Sequence, residues 1–355
     1  YLLAAMCAVA LVIAVIYTAT ASLDLAVGRV ATPSTLRAGT PARIDLSLRN
    51  KSRRRTPVLK VDDQLNDGPG ASLLLASIHR ADTTRIAYRL PTSRRGALTV
   101  GPLDLTLGDP LGLAASTARA SDQVRLVVHP ELMDLGVLHA TAGHDPTADL
   151  QPIRALASGG DEFFALRPYV VGDELKRVHW KSSARTGELV VRQDERPRTG
   201  RVTVVLDRRR SAFDEEGFDR ACSAAISALY AAWRGDDALR FLTTSPNSIS
   251  DIRSRPELDA VDEQLATVQT TDNASLLRTV DEIGRVGRGG TLVLITGQPS
   301  DDLAAAVERA RRTYGSVLTV VCQEGPESTP PGSLVHDGTV DFPEQWRAAM
   351  ASVGR

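Results

Sequence analysis

Val202-Thr203-Val204-Val205-Leu206-Asp207 is the stretch on which the fold of the C-terminal half turns. It is a continuous apolar and β-branched run with no polar alternation, which is how a strand covered on both faces of a parallel sheet reads, and it closes on a carboxylate. Beyond it the periodicity switches repeatedly. Helical patterns over residues 215–233, 256–268, 274–283, 301–314 and 343–352 alternate with strand patterns over 239–243, 291–296 and 317–322. Strands that alternate with helices need crossover connections, so residues 201–355 are predicted to form an open, doubly wound α/β domain.

Upstream the text is different. Short alternating runs at 42–48, 56–61, 84–89, 97–100, 103–107 and 124–128 are separated by Gly, Pro, Asn and Asp clusters. A spacing of roughly ten residues per strand predicts a small immunoglobulin-like β-sandwich over residues 22–130. Residues 131–200 read as a connecting region with loop-like stretches around Thr141-Ala142-Gly143 and Ser158-Gly159-Gly160. The basic run Lys51-Ser52-Arg53-Arg54-Arg55 falls at a turn between two strands, where it is either a solvated turn or a contact for anionic lipid heads.

The first residues, 1–21, are expected to be a transmembrane segment. Leu2 to Tyr17 is apolar and uncharged, about the tail of a bilayer span, and it starts without Met as though cut upstream. The alternative is a signal peptide, since Ala19-Thr20-Ala21 would suit cleavage, although no basic region precedes it. Arg29, Arg37, Arg43, Arg49, Lys51, Arg53, Arg54 and Arg55 outnumber Asp24 and Asp45 before residue 56, a bias that predicts a cytoplasmic body.

With 355 residues there is length for two folded domains beside that segment. A composition 43% hydrophobic and 24% charged excludes a wholly disordered chain. The net charge of -1 gives no global field for nucleic acid, and none is expected as a partner. Cys7, Cys222 and Cys322 are odd in number and widely spaced, which gives neither a disulfide framework nor a zinc spacing and fits a reducing compartment.

In a doubly wound sheet a ligand binds outside the carboxyl ends of the strands, at the topological switch point, which directs attention to Asp207. The chain reads Asp207-Arg208-Arg209-Arg210-Ser211, and the loop after the later strand reads Thr296-Gly297-Gln298-Pro299. This resembles the von Willebrand A fold, whose metal-ion-dependent adhesion site is D-x-S-x-S with a Thr and a second Asp from later loops. The resemblance is degenerate: Arg209 stands at the first Ser position and no Asp adjoins Gly297. Either Arg209 neutralises Asp207 by a charge-assisted hydrogen bond, or a cation such as Mg is held by Asp207, Ser211 and Thr243 or Thr244. The first alternative needs no cofactor.

The densest signal is Gly160-Asp161-Glu162-Phe163, Leu166-Arg167-Pro168-Tyr169, Gly172-Asp173, Arg177-Val178-His179-Trp180, Ala184-Arg185 and Leu189-Val190-Val191-Arg192. With Arg94-Arg95-Gly96, Gly101-Pro102-Leu103 and Asp109-Pro110-Leu111-Gly112-Leu113 upstream, it resembles the bacterial family called domain of unknown function 58, along nearly the whole chain. The resemblance implies a membrane protein with a von Willebrand A-like domain that accompanies a MoxR-type AAA+ ATPase, together with other von Willebrand A and transglutaminase-like membrane proteins. Glu162, Arg167, Tyr169, Asp173, Arg177, Trp180, Arg185 and Arg192 then form either an ion-pair and stacking network or a partner dock, because Trp and Arg are the residue types of interface hot spots.

An enzyme is the weaker reading. His179 lies near Ser182, Ser183 and Asp173, but no G-x-S-x-G elbow presents a nucleophile. No P-loop, H-E-x-x-H or G-x-G-x-x-G stands in its proper context either. The expected function is therefore a non-enzymatic, membrane-anchored adaptor. The alternatives are a Mg-dependent receptor of von Willebrand A type and, behind it, an envelope hydrolase.

Overall fold

The computed structural model describes residues 1–20, 24–66, 68–138, 163–168, 178–194, 201–245, 249–286, 289–323 and 332–353. Helix α1 (Leu2–Thr20) precedes nine strands: β1 (Leu25–Thr32), β2 (Leu36–Arg37), β3 (Ala42–Asn50), β4 (Leu59–Leu65), β5 (Gly68–Leu75), β6 (Thr83–Leu90), β7 (Gly96–Gly108), β8 (Ala115–Ser121) and β9 (Val124–His129). Then come β10 (Phe163–Pro168), α2 (Trp180–Thr186) and β11 (Val190–Asp194). The rest is β12 (Arg201–Leu206), α3 (Glu215–Arg234), β13 (Ala238–Thr243), β14 (Ile249–Ile252), α4 (Arg255–Thr267), α5 (Leu276–Val286), β15 (Thr291–Thr296), α6 (Asp301–Arg311), β16 (Ser316–Val321), β17 (Leu334–Val335) and α7 (Phe342–Val353). Two units result. One is Tyr1–Met133 with Pro256–Gln269, and the other is Asp134–Arg255 with Thr270–Arg355. The separate connecting region expected over 131–200 is thus grouped with the second unit from Asp134, and the helix expected at 256–268 with the first.

In the first unit, α1 is the one helix among the described residues long and apolar enough to cross a membrane. At 1.5 Å per residue it spans about 28 Å, close to the thickness of a hydrocarbon core. The hydroxyls of Thr18 and Thr20 donate back to the carbonyls of Ala14 and Ile16, so neither threonine leaves its donor idle. The strands form two sheets, β1-β3-β6 and β2-β9-β7-β4-β5, with β8 added to β7. Alternation in β3 turns Ala42, Ile44, Leu46 and Leu48 inward. There they share one core with Leu59 and Val61 of β4 and Leu98, Val100, Leu103, Leu105 and Leu107 of β7. Burial of each such Leu, Ile or Val contributes roughly 1.5–3 kcal/mol. The predicted sandwich is therefore present.

The runs at 97–100 and 103–107 are one strand, not two. β7 pairs with β9 through Gly96–Val100 and with β8 through Leu103–Gly108, changing neighbours at Gly101. Gly101 has φ +100, and a Cβ there would come within 2.9 Å of the Asp122 carbonyl, so a side chain is excluded on both counts.

A polar tie also joins the two sheets. Asp63 of β4 is 1% exposed and accepts from Arg29 Nη2 of β1 at 2.7 Å and from Tyr88 Oη of β6 at 2.6 Å. Burial, then the hydrogen bond to Asp63, raises the Tyr88 phenol well above its usual range, so it stays a donor. In α4, Asp262 accepts from Arg37 Nη2 at 2.5 Å and lies 3.3 Å from His129 Nδ1, while Arg95 Nη1 donates to the Leu265 carbonyl at 2.7 Å. Burial pushes the Asp262 carboxyl up, but His129 close by and the hydrogen-bonded Arg37 guanidinium outweigh it and hold it below the usual carboxylate range.

The second unit is built on the sheet β14-β13-β12-β15-β16-β17. All its pairings are parallel except β13 with β14. Numbered by appearance, this is the order 3-2-1-4-5-6 of doubly wound sheets. Val202 to Leu206 in β12 and all of β15 are buried, as their unalternating apolar sequences require. α3 begins at Asp214, whose carboxylate accepts from Gly217 N, and α6 begins at Ser300, whose hydroxyl accepts from Leu303 N at 3.2 Å. Asp301 and Asp302 in the first turn of α6 and Arg309 and Arg311 in its last complement the helix dipole. Edge strands β14 and β17 were not anticipated: one reads Ile-Ser-Asp-Ile and the other is two residues long, too short for periodicity to register.

Two stability experiments follow from these buried polar groups. Asp63→Ala leaves Arg29 uncompensated and should cost the first unit about 3–5 kcal/mol in urea unfolding; a loss below about 1 kcal/mol would mean the tie is not structural. In the second unit His336 stacks on Phe342 with centroids 4.5 Å apart, and burial, with Arg220 nearby, pushes its pKa down to about 4. The unfolded chain then takes up this proton first. The stability due to neutral His336 is complete above the unfolded value near 6.5 and is lost as pH falls to about 4, on the order of 3 kcal/mol. His336→Gln should flatten the melting temperature across that window, and an unchanged slope would remove His336 as its source.

Candidate functional site

Asp207 follows β12 directly, and β12 is the strand at which the order reverses, with β13 on one side and β15 on the other. Its carboxylate is completely buried and fully engaged. Arg209 closes on it as a fork, Nε at 3.0 Å and Nη2 at 2.8 Å from Oδ2, and the Arg209 backbone N donates to Oδ1 at 3.0 Å. Thr296, the last residue of β15, donates to Oδ2 at 2.8 Å. Thr244 lies just beyond β13; its hydroxyl accepts from Arg208 N at 2.8 Å and reaches Oδ1 at 3.3 Å. The loop after β15 is pressed onto the turn that follows Asp207. Gln298 N donates to the Ala212 carbonyl at 2.9 Å, and a Cβ on Gly297 would overlap that same carbonyl.

Of the residues expected around a cation, Asp207 and Thr244, the alternative to Thr243, are brought together. Ser211 is exposed on a short 3-10 turn, and the Thr243 hydroxyl lies 3.4 Å from Ser245 N. The hydroxyls on Asp207 are those of Thr244 and Thr296. Thr296 was missed because its loop was scanned for a carboxylate, yet a hydroxyl at the end of the neighbouring strand is the signal that finds it. With Arg209 15% exposed and bonded through three nitrogen atoms, the lone pairs that would face a cation are spent on a guanidinium. As it stands the arrangement does not fit a divalent ion. Among the described residues no group of three or more His, Cys, Asp or Glu could hold a metal.

The second cluster sits on α2 and the antiparallel strand pair β10–β11, between which α2 lies in sequence. His179 caps α2 by accepting from Ser182 N at 3.2 Å, and Gly187 ends it at φ +78, the left-handed conformation open to glycine. The helix is fastened to β11 by His179 N to the Val190 carbonyl at 2.8 Å and by Val190 N to the buried Ser183 hydroxyl at 2.9 Å. His179 Nδ1 also lies 2.9 Å from Ser182 Oγ. That contact, which a hydrolytic reading would use, belongs to the helix cap. Ser183 points inward, while Trp180, 64% exposed, and Lys181, Ala184 and Arg185 are open to solvent. At 3.6 residues per turn Lys181 and Arg185 share one face of α2, while Trp180, five residues before Arg185, is turned about 140° from it. Arg167 and Arg192 are one pair apart along the two strands, where Arg167 faces Val191 and Leu166 faces Arg192. Glu162, Tyr169, Asp173 and Arg177 lie outside the described residues.

Residues 165–338 match the model of the family described as "Protein of unknown function DUF58". No curated protein matches the chain. Among solved structures it is similar to the CARDB domain of a Pyrococcus furiosus protein, crystallised with di-metal ions, at 13% identity over 30% of this chain and 85% of that one. The TM-score is 0.23. It is also similar to an alkylpurine DNA glycosylase of Pseudomonas fluorescens bound to DNA, at 14% identity over 32% and 33% of the two chains, with a TM-score of 0.20. Scores this low carry no argument about fold or function.

The fork on Asp207 makes a directional prediction. Arg209→Ser removes the internal cation and leaves a buried carboxylate beside two hydroxyls. The second unit should lose about 3–5 kcal/mol without divalent ions, and millimolar Mg should restore part of that and raise the melting temperature. The wild-type melting temperature should not move with Mg or chelator; a Mg-dependent shift in the wild type would mean that Arg209 yields to the ion.

Proposed function

Because residues 165–338 belong to the domain of unknown function 58 family, we propose that this chain is a membrane-anchored, non-enzymatic adaptor for a MoxR-type AAA+ ATPase, docking through α2. The observation that carries this reading is Trp180, 64% exposed at the start of a helix that is fixed to β11 through His179 and Ser183 and that also exposes Lys181 and Arg185. A large aromatic flanked by cations and held on a rigid element is hot-spot chemistry, and its exposure would go without benefit unless a partner covers it. The 3-2-1-4-5-6 order with an antiparallel edge supports a von Willebrand A-like domain, in which the Asp207–Arg209 pair replaces the metal. ATP hydrolysis belongs to the partner in this account. α1 supplies the anchor, and the excess of Arg and Lys after it supports a cytoplasmic body, next to other von Willebrand A or transglutaminase-like membrane proteins.

A second reading, a Mg-dependent receptor, is favoured by one observation: Thr244 and Thr296 still converge on Asp207. It requires Arg209 to leave the carboxylate, and the Mg response of the wild-type protein decides it.

The test of the adaptor is a pull-down of the detergent-solubilised full chain with the MoxR-type ATPase of the same cell, with and without ATP and chelator. Saturable binding that survives chelation is expected. The Trp180→Ala/Arg185→Ala variant should lose at least tenfold in affinity while its unfolding midpoint moves by less than the equivalent of about 1 kcal/mol, since both side chains are exposed. Undiminished binding by that variant removes α2 as the dock, and no binding by the wild type removes the partnership.

A further inference from the structure

The turn between β3 and β4 carries Lys51, Arg53, Arg54 and Arg55, all exposed. Its backbone is pinned from below by Asn50, 1% exposed, whose Nδ2 donates to the Arg54 carbonyl at 2.7 Å and to the Ile78 carbonyl at 3.1 Å. Asn50 Oδ1 accepts from Ser52 N at 2.9 Å. A buried amide thus fixes the shape of a loop whose four cationic side chains make no ion pair among the described residues. Elsewhere in the same unit Arg29, Arg37, Arg43 and Arg119 each pair with an Asp. Arg49, Arg80, Arg85, Arg89 and Arg125 are exposed without an ion pair among the described residues too, but they are dispersed, whereas the turn gathers four cations between residues 51 and 55.

These cations line a cavity of about 1290 Å³ whose wall is completed by Tyr17 and Thr20 at the C-terminal end of α1. Asp24 and Asp109 are in the wall too; the Asp109 carboxylate accepts from Leu111 N and Ala114 N at 2.8 and 2.7 Å and is consumed by its own turn, and Asp24 leaves the four cations of the turn in excess. The rim is apolar and exposed: Val58 at 58%, Leu74 at 80%, and Leu111, next to the lining residue Pro110, at 71%. Three features therefore coincide at the point where a spanning helix would leave the bilayer. They are an interfacial tyrosine, unpaired arginine forks that match phosphate geometry, and protruding aliphatic side chains suited to the acyl boundary.

We propose that this cavity binds the phosphate of an anionic glycerophospholipid, clamped by Arg53, Arg54 and Arg55 while Val58, Leu74 and Leu111 contact the acyl region. The proposal rests on reading α1 as a bilayer anchor. A free phosphate would offer the same charge but nothing to the apolar rim, and phosphatidylcholine would offer the rim contact without net charge.

The experiment titrates the full chain, in dodecylmaltoside micelles, with dihexanoyl phosphatidylglycerol, dihexanoyl phosphatidylcholine and inorganic phosphate, and reads binding by calorimetry. Saturable binding of phosphatidylglycerol is expected, at least tenfold tighter than either of the other two, and at least tenfold weaker in Arg53→Gln/Arg54→Gln/Arg55→Gln. That variant keeps Asn50 and changes only exposed side chains, so its melting curve should overlay the wild type. Equal binding of phosphatidylcholine, equal binding of inorganic phosphate, an unaffected variant, or no saturable binding of phosphatidylglycerol would each overturn the site. The anchor is tested separately, by alkaline extraction from liposomes of phosphatidylcholine alone. Release there would overturn the anchor reading, whatever the micelle titration decides about the cavity.

Discussion

A carboxylate buried at the end of a central strand must have its charge answered, and the C-terminal sheet is arranged around how Asp207 gets that answer. Leaving it ionised and alone in a dry site would cost several kcal/mol, more than a domain can lightly spare. Arg209 comes from the adjoining turn, Thr244 from beyond β13, and Thr296 from the end of β15, so three segments far apart in sequence are held to one pair of oxygens. The guanidinium supplies a fixed positive charge where a site of the same outline would recruit an ion. In the adaptor function proposed above, docking is therefore assigned to the exposed residues of α2 and not to the Asp207 loop.

The β-rich unit solves an analogous problem by different means. Asp63, Arg29 and Tyr88 are polar groups on three strands from two sheets, and each satisfies another inside an otherwise aliphatic core. Hydrophobic alternation already opposes a slip by one residue, which would turn the apolar set of β3 outward. A buried ion pair with a phenol adds direction, because a strand displaced by one residue would take its polar partner to the wrong face.

Much of this was legible in the sequence wherever a periodic pattern was long. The unbroken apolar runs at 202–206 and 291–296 and the helix from Glu215 are found within a residue or two of their predicted bounds. Strands β1, β5 and β8 escaped because Gly28, Gly68, Gly70 and the small polar residues of 115–121 dilute alternation, and they become strands only by pairing with neighbours already in place. The degenerate Asp207 motif was legible as well, including Arg209 as a possible neutraliser, since one substitution in a short pattern is read directly. Thr296 was not, because what gathers it in is the adjacency of β12 and β15, which no local window contains. Nor could spacing tell which side of α2 faces outward; that depends on Ser183 being spent on Val190.

α4 has a consequence for how the protein is made. Its sequence lies deep in the C-terminal half, yet residues 256–269 are counted with the β-rich unit, where Asp262 meets Arg37 and His129. As the ribosome delivers the chain in order, all nine N-terminal strands are available long before the carboxylate that completes their unit. That unit therefore stays open until residue 269 has emerged, by which time β12, α3, β13 and β14 are also present. Synthesis therefore begins the second unit before the first is complete, and a chain cut between residues 133 and 256 would release a first unit lacking its last piece.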